Sequence, residues 1–168
     1  MFKFSIGRRG LAAFAAALAL SPLAGGCALA KPAAACTPQP TLRQEPLEIV
    51  TAQGVAKFTV ELADTPGRQE TGMMCRTSLA PDRGMLFDFG QPTDDVAFWM
   101  RNTLIGLDIV YIAPNGTILS IARHARPLDE TPIPAGGTIR AVLEIADGRA
   151  AQLGLKPGDK VVHRIFAR

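Results

Sequence analysis

The sequence GMLFDF at Gly84–Phe89, followed after a short polar turn by FWMRNTLIGLDIVYI at Phe98–Ile112, decides the fold of this chain of 168 residues. The stretch holds the only tryptophan and the only tyrosine, and polar residues interrupt its apolar runs. A polar group that is buried without a partner is costly. We therefore interpret this stretch as the organising core of a small domain, with polar members that are either structural or part of a site.

Short apolar segments separated by turn residues continue on both sides of this core. LEIVT and KFTVEL precede it, while TILSIARHA, RAVLEI and KVVHRIF follow it. Thr65 and Pro66 begin a short helix near residues 65–72, and Asp147 is expected to cap another near 147–153. The pattern predicts a mainly β fold, a compact antiparallel β-sandwich or partly closed, jelly-roll-like barrel with two short helices. Its strands should cover Phe58, Leu86, Phe98, Ile109, Ile118, Leu143 and Val162.

The chain divides into an export signal at 1–30, a proline-rich tether at 31–46 and a single β domain at 47–168. Lys3, Arg8 and Arg9 form a basic start, and ten apolar residues follow from Leu11. This apolar run is too short to span a membrane, which takes about 20 residues, and is typical of an export signal. The prediction is an exported, periplasmic protein whose membrane association comes only through the signal or a lipid anchor.

Two processing sites compete at the end of the signal. Ala28-Leu29-Ala30 is a small-x-small site that would release a chain beginning at Lys31. Leu23-Ala24-Gly25-Gly26-Cys27 instead resembles a lipoprotein signal, in which Cys27 would be acylated. The pair Arg8-Arg9 also resembles a twin-arginine signal, so the export route stays open.

The basic character of the whole chain comes from its first residues. The signal carries three of the 18 basic residues and none of the 15 acidic ones, so the rest of the chain holds equal numbers of each. No Lys/Arg cluster with interleaved aromatic residues follows. This composition argues against a nucleic-acid partner.

Cysteine usage leaves one structural question open. Cys36 lies in the predicted tether and Cys75 in the domain, and an oxidising compartment permits a disulfide between them. The alternative is that Cys75 is a small buried apolar residue and Cys36 is unpaired.

No motif predicts catalysis or a bound cofactor. Ser78 and Ser120 lie outside any nucleophile elbow, and Cys75 and His124 have no spacing that requires a pair. His124 and His163 stand in separate strands, without the close His or Cys spacing of a zinc site. We therefore predict no catalytic residue, no cofactor and no metal.

Three segments resemble a known family. They are ADTPGRQETGMMCRTSLAPDRGMLFDF, FWMRNTLIGLDIVYI and RAVLEIADGRAAQLGLKPGDKV, in this order, within Ile49–Phe166. Together they resemble the family known as domain of unknown function 192, although Met73 stands where that family usually has leucine. The resemblance implies a compact, mainly β fold that is often exported, and it implies no established activity.

A set of polar residues in apolar surroundings remains. Asp108 and Glu144 each interrupt an apolar strand, Arg76 follows an apolar step, and Asn102 and Thr103 directly follow the segment that contains Trp99. They form either a structural network with Arg76 or Arg101 as the cation, or a pocket with Trp99 as its apolar wall. In both cases we predict that these residues converge: Arg76, Trp99, Asn102, Thr103, Asp108 and Glu144.

Three function classes follow from these observations. The first is a non-catalytic module of the cell envelope that binds a saccharide or another small molecule. The second is a scaffold or protein-interaction domain, which an exposed apolar patch without a cleft would favour. The third is a hydrolase that uses Asp108 and Glu144 as a carboxylate pair facing one cleft.

Overall fold

The computed structural model describes residues 36–167. These residues form a mainly β fold with a curled seven-stranded sheet, a two-stranded ribbon and two short helices, which confirms the predicted fold class. The export signal, the acylation or cleavage at Cys27 or Lys31, and the first part of the tether lie outside the described residues. Among residues 36–167, no helix has the length and apolar character needed to cross a membrane.

The strands follow one another closely along the chain. The helices are α1 (Pro66–Thr71) and α2 (Arg149–Gln152), and a single 3₁₀ turn covers Arg164–Phe166. The strands are β1 (Gln44–Thr51), β2 (Gly54–Ala63), β3 (Arg83–Thr93), β4 (Ala97–Phe98), β5 (Leu107–Ile112), β6 (Ile118–Ala125), β7 (Ile133–Pro134), β8 (Ile139–Ala146) and β9 (Lys160–Val162). Each residue that was predicted to lie in a strand does so.

The large sheet has the order β6-β5-β8-β3-β2-β1-β9, and β4 pairs with β7 in the separate ribbon. All neighbours are antiparallel except β2 and β3, which run parallel. The parallel pair arises because α1 and the turns after it carry the chain back to the start of β3. The sheet is therefore mainly antiparallel, as predicted, with one crossover near the site described below.

Both faces of the sheet are covered by apolar side chains. One core includes Val60, Leu86, Val110 and Ile145 and packs against α2, while the other lies on the opposite face and includes Met85 and Tyr111. All six residues of β5 are buried, as expected for a strand that is covered on both sides. The alternation of side chains along each strand decides which core a residue enters.

The first strand starts three residues before the predicted boundary between tether and domain at residue 47. Strand β1 starts at Gln44, and Pro46 lies opposite Thr59 of β2. The proline is accommodated because β9 pairs with β1 only at residues 48–50, so this end of β1 is an edge. Leu42 also packs against the core that contains Met85, so part of the predicted tether belongs to the domain.

Candidate functional site

A polar cleft of about 290 Å³ opens where β1, β2 and the start of β3 meet the loop after α1. Its floor carries an ion pair, and its wall carries hydroxyl groups, a second arginine and a few apolar groups. The lining residues are Thr41, Gln44, Thr59, Glu61, Arg76, Ser78, Leu79, Ala80, Arg83 and Gly84.

The ion pair joins Arg76 to Glu61 through two parallel hydrogen bonds. The Arg76 Nη1 and Nη2 atoms donate to Oε1 and Oε2 of Glu61 over 2.7 and 2.8 Å. Both side chains are mostly buried, with exposed fractions of 17% and 11%. A bidentate arginine–carboxylate pair fixes the orientation of both groups. The pair therefore presents a rigid donor and acceptor surface to the cleft.

The surroundings of the pair restrict it further. The Leu42 N–H donates to Glu61 Oε2 over 2.7 Å, so residues just before β1 also hold this carboxylate. Arg76 Nε is buried and has no hydrogen-bond partner within residues 36–167. Buried donors are almost always paired with protein or water. This N–H is therefore a buried donor that its described neighbours leave unsatisfied.

A disulfide fixes the loop that carries Arg76. Cys36 and Cys75 are joined, with their Cα atoms 5.3 Å apart. The Cys75 N–H donates to the Asn102 carbonyl over 2.8 Å, and Cys75 itself has a positive φ of 65°. Because positive φ is unfavourable for a residue with a side chain, the loop needs such external contacts to keep its shape.

Arg83 adds a second positive charge at the rim. Its Nη1 donates to Gln44 Oε1 over 3.1 Å, and its side chain is 45% exposed. The only acidic side chain that lines the cleft is Glu61. Two arginines and one glutamate line the cleft, and Asp82, which is exposed outside the lining, lies 4.0 Å from the Nε atom of Arg83 through its Oδ1 atom. The lining residues alone therefore carry an excess of one positive charge.

The predicted polar set does not converge as a whole. Arg76 lines the cleft, but its partner is Glu61 and neither Asp108 nor Glu144. Asp108 lies opposite Ile145, and Glu144 lies opposite Ile109 in the pairing of β5 with β8. Since opposite residues share a face, the two carboxylates point to opposite sides of the sheet. The predicted carboxylate pair is therefore wrong, because the register of the two strands separates its members.

Asp108 has backbone donors and not the positive partner that we expected. Its Oδ1 accepts the His124 N–H over 3.0 Å, and its Oδ2 accepts the Ala150 N–H at the start of α2 over 2.8 Å. Asp147 was expected to cap α2, but the N-cap position is Gly148 and no side chain of the cap residue bonds to the helix. Asp108 supplies this function from a strand 42 residues away.

A group with metal-ligand chemistry lies beside this carboxylate. Ligand atoms of Asp108, His124 and Asp147 lie within 4.8 Å of one another. His124 Nδ1 is 2.6 Å from Asp147 Oδ1, and both of these side chains are exposed. Both oxygens of Asp108 already accept backbone hydrogen bonds, one from the end of β6 and one from the start of α2. These structural contacts explain why the three side chains lie together.

Glu144 lies in the opposite core. It is buried between Met85 and Ile109, and its Oε2 has no hydrogen-bond partner among the described residues. Burial raises the pKa of the Glu144 carboxyl to about 8. Burial also raises the pKa of Tyr111, and the nearby Glu144 carboxyl adds a smaller contribution in the same direction. Glu144 is therefore mostly protonated at neutral pH, and it does not line the cleft.

Trp99, Asn102 and Thr103 belong to the loop between β4 and β5. The Arg101 guanidinium lies 4.6 Å from the centre of the Trp99 ring and also binds Glu130. The Asn102 carbonyl accepts the Cys75 N–H. The carbonyl of the buried Thr103 accepts the Leu128 N–H. This loop thus touches the segment before Arg76, but Trp99 is not a wall of the cleft.

The sequence interpretation missed Glu61, Arg83 and the hydroxyl side chains of the cleft. Glu61 interrupts the apolar run KFTVELA just as Glu144 interrupts AVLEIA, so the same argument could have found it. Across the sheet Glu61 lies beside Met85, which lies beside Glu144. These three residues therefore lie side by side on one face of the sheet, with the ion-paired Glu61 at the cleft and the protonated Glu144 in the core.

Comparisons with known proteins show the family and no activity. Residues 48–163 match the model of the family DUF192, which is described as "Uncharacterized ACR". No curated protein matches the chain.

Two crystal structures are similar over most of the domain. A protein of unknown function from Novosphingobium aromaticivorans is 45% identical with a TM-score of 0.71, covering 78% of this chain and 94% of that one. A protein from Sinorhizobium meliloti, named a candidate transcription regulator, is 39% identical with a TM-score of 0.72, covering 76% and 98%. The fold is therefore shared with proteins whose function these comparisons leave open.

Proposed function

Since this chain belongs to the DUF192 family of uncharacterised proteins, we propose its function from the cleft: it is a non-catalytic module that binds a saccharide carrying an acidic group. The observation that carries the proposal is the bidentate pair of Glu61 and Arg76 at the floor of the cleft. In the same proposal the protein is exported, because residues 1–30 have the pattern of an export signal.

The hydrogen-bonding groups of the cleft suit a ligand with several hydroxyls. Each sugar hydroxyl donates one hydrogen bond and accepts others, so it can donate to a carboxylate and accept from a guanidinium. The Glu61–Arg76 pair offers both groups side by side. Thr41, Thr59 and Ser78 add hydroxyls that can donate or accept.

The charge of the cleft favours an acidic member of this class. Arg76 is neutralised by Glu61 in a bidentate pair, whereas Arg83 is half exposed and, among the described residues, forms an ion pair only with Asp82, at 4.0 Å. An arginine recognises a carboxylate or a phosphate through paired N–H groups. A ligand carboxylate at Arg83, with its hydroxyls toward Glu61 and Arg76, would use every charged group of the cleft.

The geometry gives less support to a hydrolase, and the composition gives less support to a nucleic-acid partner. The hydrolase hypothesis needed Asp108 and Glu144 in one cleft, and they face opposite sides of the sheet. A nucleic-acid partner would require a basic surface, which the even balance of charge after residue 30 does not provide.

The test is a calorimetric titration of the protein with matched pairs of sugars. Glucuronic acid and glucose differ by one carboxylate, and galacturonic acid and galactose form a second pair. We expect binding of at least one acidic sugar and at least tenfold weaker binding of its neutral partner. Equal affinity within both pairs, or no heat with any sugar, would overturn the proposal. Acetate and phosphate serve as controls, since binding of either alone would indicate a simple anion site.

A further inference from the structure

Two leucines are exposed on neighbouring loops. Leu104 follows the FWMRNT segment and is 43% exposed, and Leu128 follows β6 and is 59% exposed. The Leu128 N–H donates to the Thr103 carbonyl over 3.1 Å, which holds the two loops side by side. Leu104 and Leu128, together with the half-buried Trp99 and with Arg101, are called the loop face below.

Leu128 is exposed and has a strained backbone conformation. Its φ is +63°, in the left-handed region that leucine rarely adopts. Strained positions of this kind persist where the surrounding structure fixes them, and they are found at functional sites more often than elsewhere. A large apolar residue that a strained backbone leaves exposed indicates that something covers it.

The chain enters the domain next to this face. Cys36, the first described residue, is held by its disulfide to Cys75. Cys36 Sγ lies 3.9 Å from the Asn102 carbonyl oxygen, a van der Waals contact because a disulfide sulfur has no hydrogen to donate. Asn102 is two residues before Leu104 in the chain. A surface that binds the residues before Cys36 would therefore lie close to the loop face.

Cys27, the residue that a lipoprotein signal would acylate, precedes Cys36 by nine positions. Nine residues reach at most about 30 Å when fully extended. A lipid on Cys27 would therefore keep Cys36 within that distance of the bilayer, with the loop face beside it. At such a short tether length the effective concentration is high, so even a weak surface contact becomes populated.

We propose that the loop face rests on the surface of the lipid bilayer. The proposal depends on the proposed export and on acylation at Cys27 as the processing event, and it is independent of the saccharide cleft. Leu104 and Leu128 insert among the acyl chains near the headgroups. Trp99 and Arg101 lie at the interface, where indole rings and basic side chains are commonly found. The disulfide fixes the point at which the tether leaves the domain, beside the loop face.

Trp99 allows a direct test because it is the only tryptophan. The chain from Cys27 onward is coupled through the Cys27 thiol to vesicles that contain a maleimide lipid, since Cys36 and Cys75 are bonded to each other. The vesicles consist of phosphatidylethanolamine and phosphatidylglycerol with brominated acyl chains, which quench nearby tryptophan. We expect a blue shift of Trp99 emission and at least a twofold fall in its intensity relative to vesicles without bromine.

The double variant Leu104→Ser, Leu128→Ser should lose most of this quenching. The matched control Val50→Ser, Val55→Ser removes two exposed apolar side chains from the β1–β2 hairpin and should keep it. As a second variant, Leu128→Gly removes the side chain and relieves the positive φ, so it should fold at least as well and still lose quenching. Absence of quenching in the coupled protein, or equal quenching in all variants, would overturn the proposal. Sugar titrations of the uncoupled protein remain a separate test of the cleft.

Discussion

Asp108 of β5 accepts a hydrogen bond over 2.8 Å from the backbone N–H of Ala150, the second residue of α2. The donor of this buried carboxylate is therefore a backbone group and not a charged side chain. The second oxygen of the carboxylate accepts the His124 N–H. One buried side chain therefore ties the end of β6 and the start of α2 to the centre of the sheet.

Replacing Asp108 by alanine should destabilise the domain strongly. The change leaves two backbone N–H groups without partners, and each buried orphan costs about 1–3 kcal/mol. We expect a loss of about 2–5 kcal/mol in the free energy of unfolding, measured with urea. Asp147→Ala, which removes only an exposed partner of His124, should cost less than about 1 kcal/mol. Equal effects of the two variants would contradict the role assigned to Asp108.

The protonated state of Glu144 should make stability depend on pH. The pKa of this carboxyl is about 8 in the folded protein, against 4.5 for an ordinary glutamate. A raised pKa in the folded state means that folding takes up a proton. The resulting stability is fully present below pH 4.5 and is lost as pH rises through 8.

Glu144→Gln isolates this contribution. Burial lowers the pKa of His163, so this residue reduces stability as the pH falls, which is the opposite trend to that of Glu144. Only the difference between the variant and the wild type is therefore informative. Between about pH 5 and 8 the wild type should lose up to about 1 kcal/mol per pH unit relative to Glu144→Gln. Urea unfolding of both proteins at pH 5, 6, 7 and 8 measures this difference. Parallel pH profiles would show that Glu144 is not protonated in the folded state.

The disulfide should contribute substantially to stability. Cys36 and Cys75 are separated by 39 residues, and closing a loop of this length is worth about 4 kcal/mol in the chain-entropy model. Reduction should therefore lower the free energy of unfolding by roughly this amount and increase amide exchange around Arg76. The double variant Cys36→Ser, Cys75→Ser should have the same free energy of unfolding as the reduced protein, and adding reductant should not change it. Two free thiols in the untreated native chain would refute the pairing.

The strands and helices could be predicted because local patterns decide them. Apolar runs such as LDIVYI and the turns at Pro and Gly are visible in the sequence, and the strand assignments agree with the structure. The strand β1 begins earlier than predicted because Arg43 and Leu42 extend into contacts with β2 and the core, which no local pattern indicates.

The candidate site was harder to predict because it depends on pairing between distant segments. The apolar neighbours of Asp108 and Glu144 left both a half-exposed and a buried position open, and the structure buries both. Their expected arginine partners were wrong, because a carboxylate can be satisfied by backbone N–H groups or by protonation as well as by arginine. The relative orientation of Asp108 and Glu144 depends on the register of β5 against β8, and a shift of one residue would reverse it.

The central claim, that the cleft binds an acidic sugar, is tested most directly by calorimetric titration of Arg83→Gln with the acidic sugar that binds the wild type. Arg68→Gln is the matched control, since Arg68 is 47% exposed, close to the 45% of Arg83, and lies outside the cleft. Loss of one charge-assisted hydrogen bond, about 1.5–3 kcal/mol, corresponds to roughly tenfold or weaker binding. The account predicts that Arg83→Gln binds at least tenfold more weakly while Arg68→Gln binds like the wild type. Unchanged affinity in Arg83→Gln, or an equal loss in both variants, would contradict it.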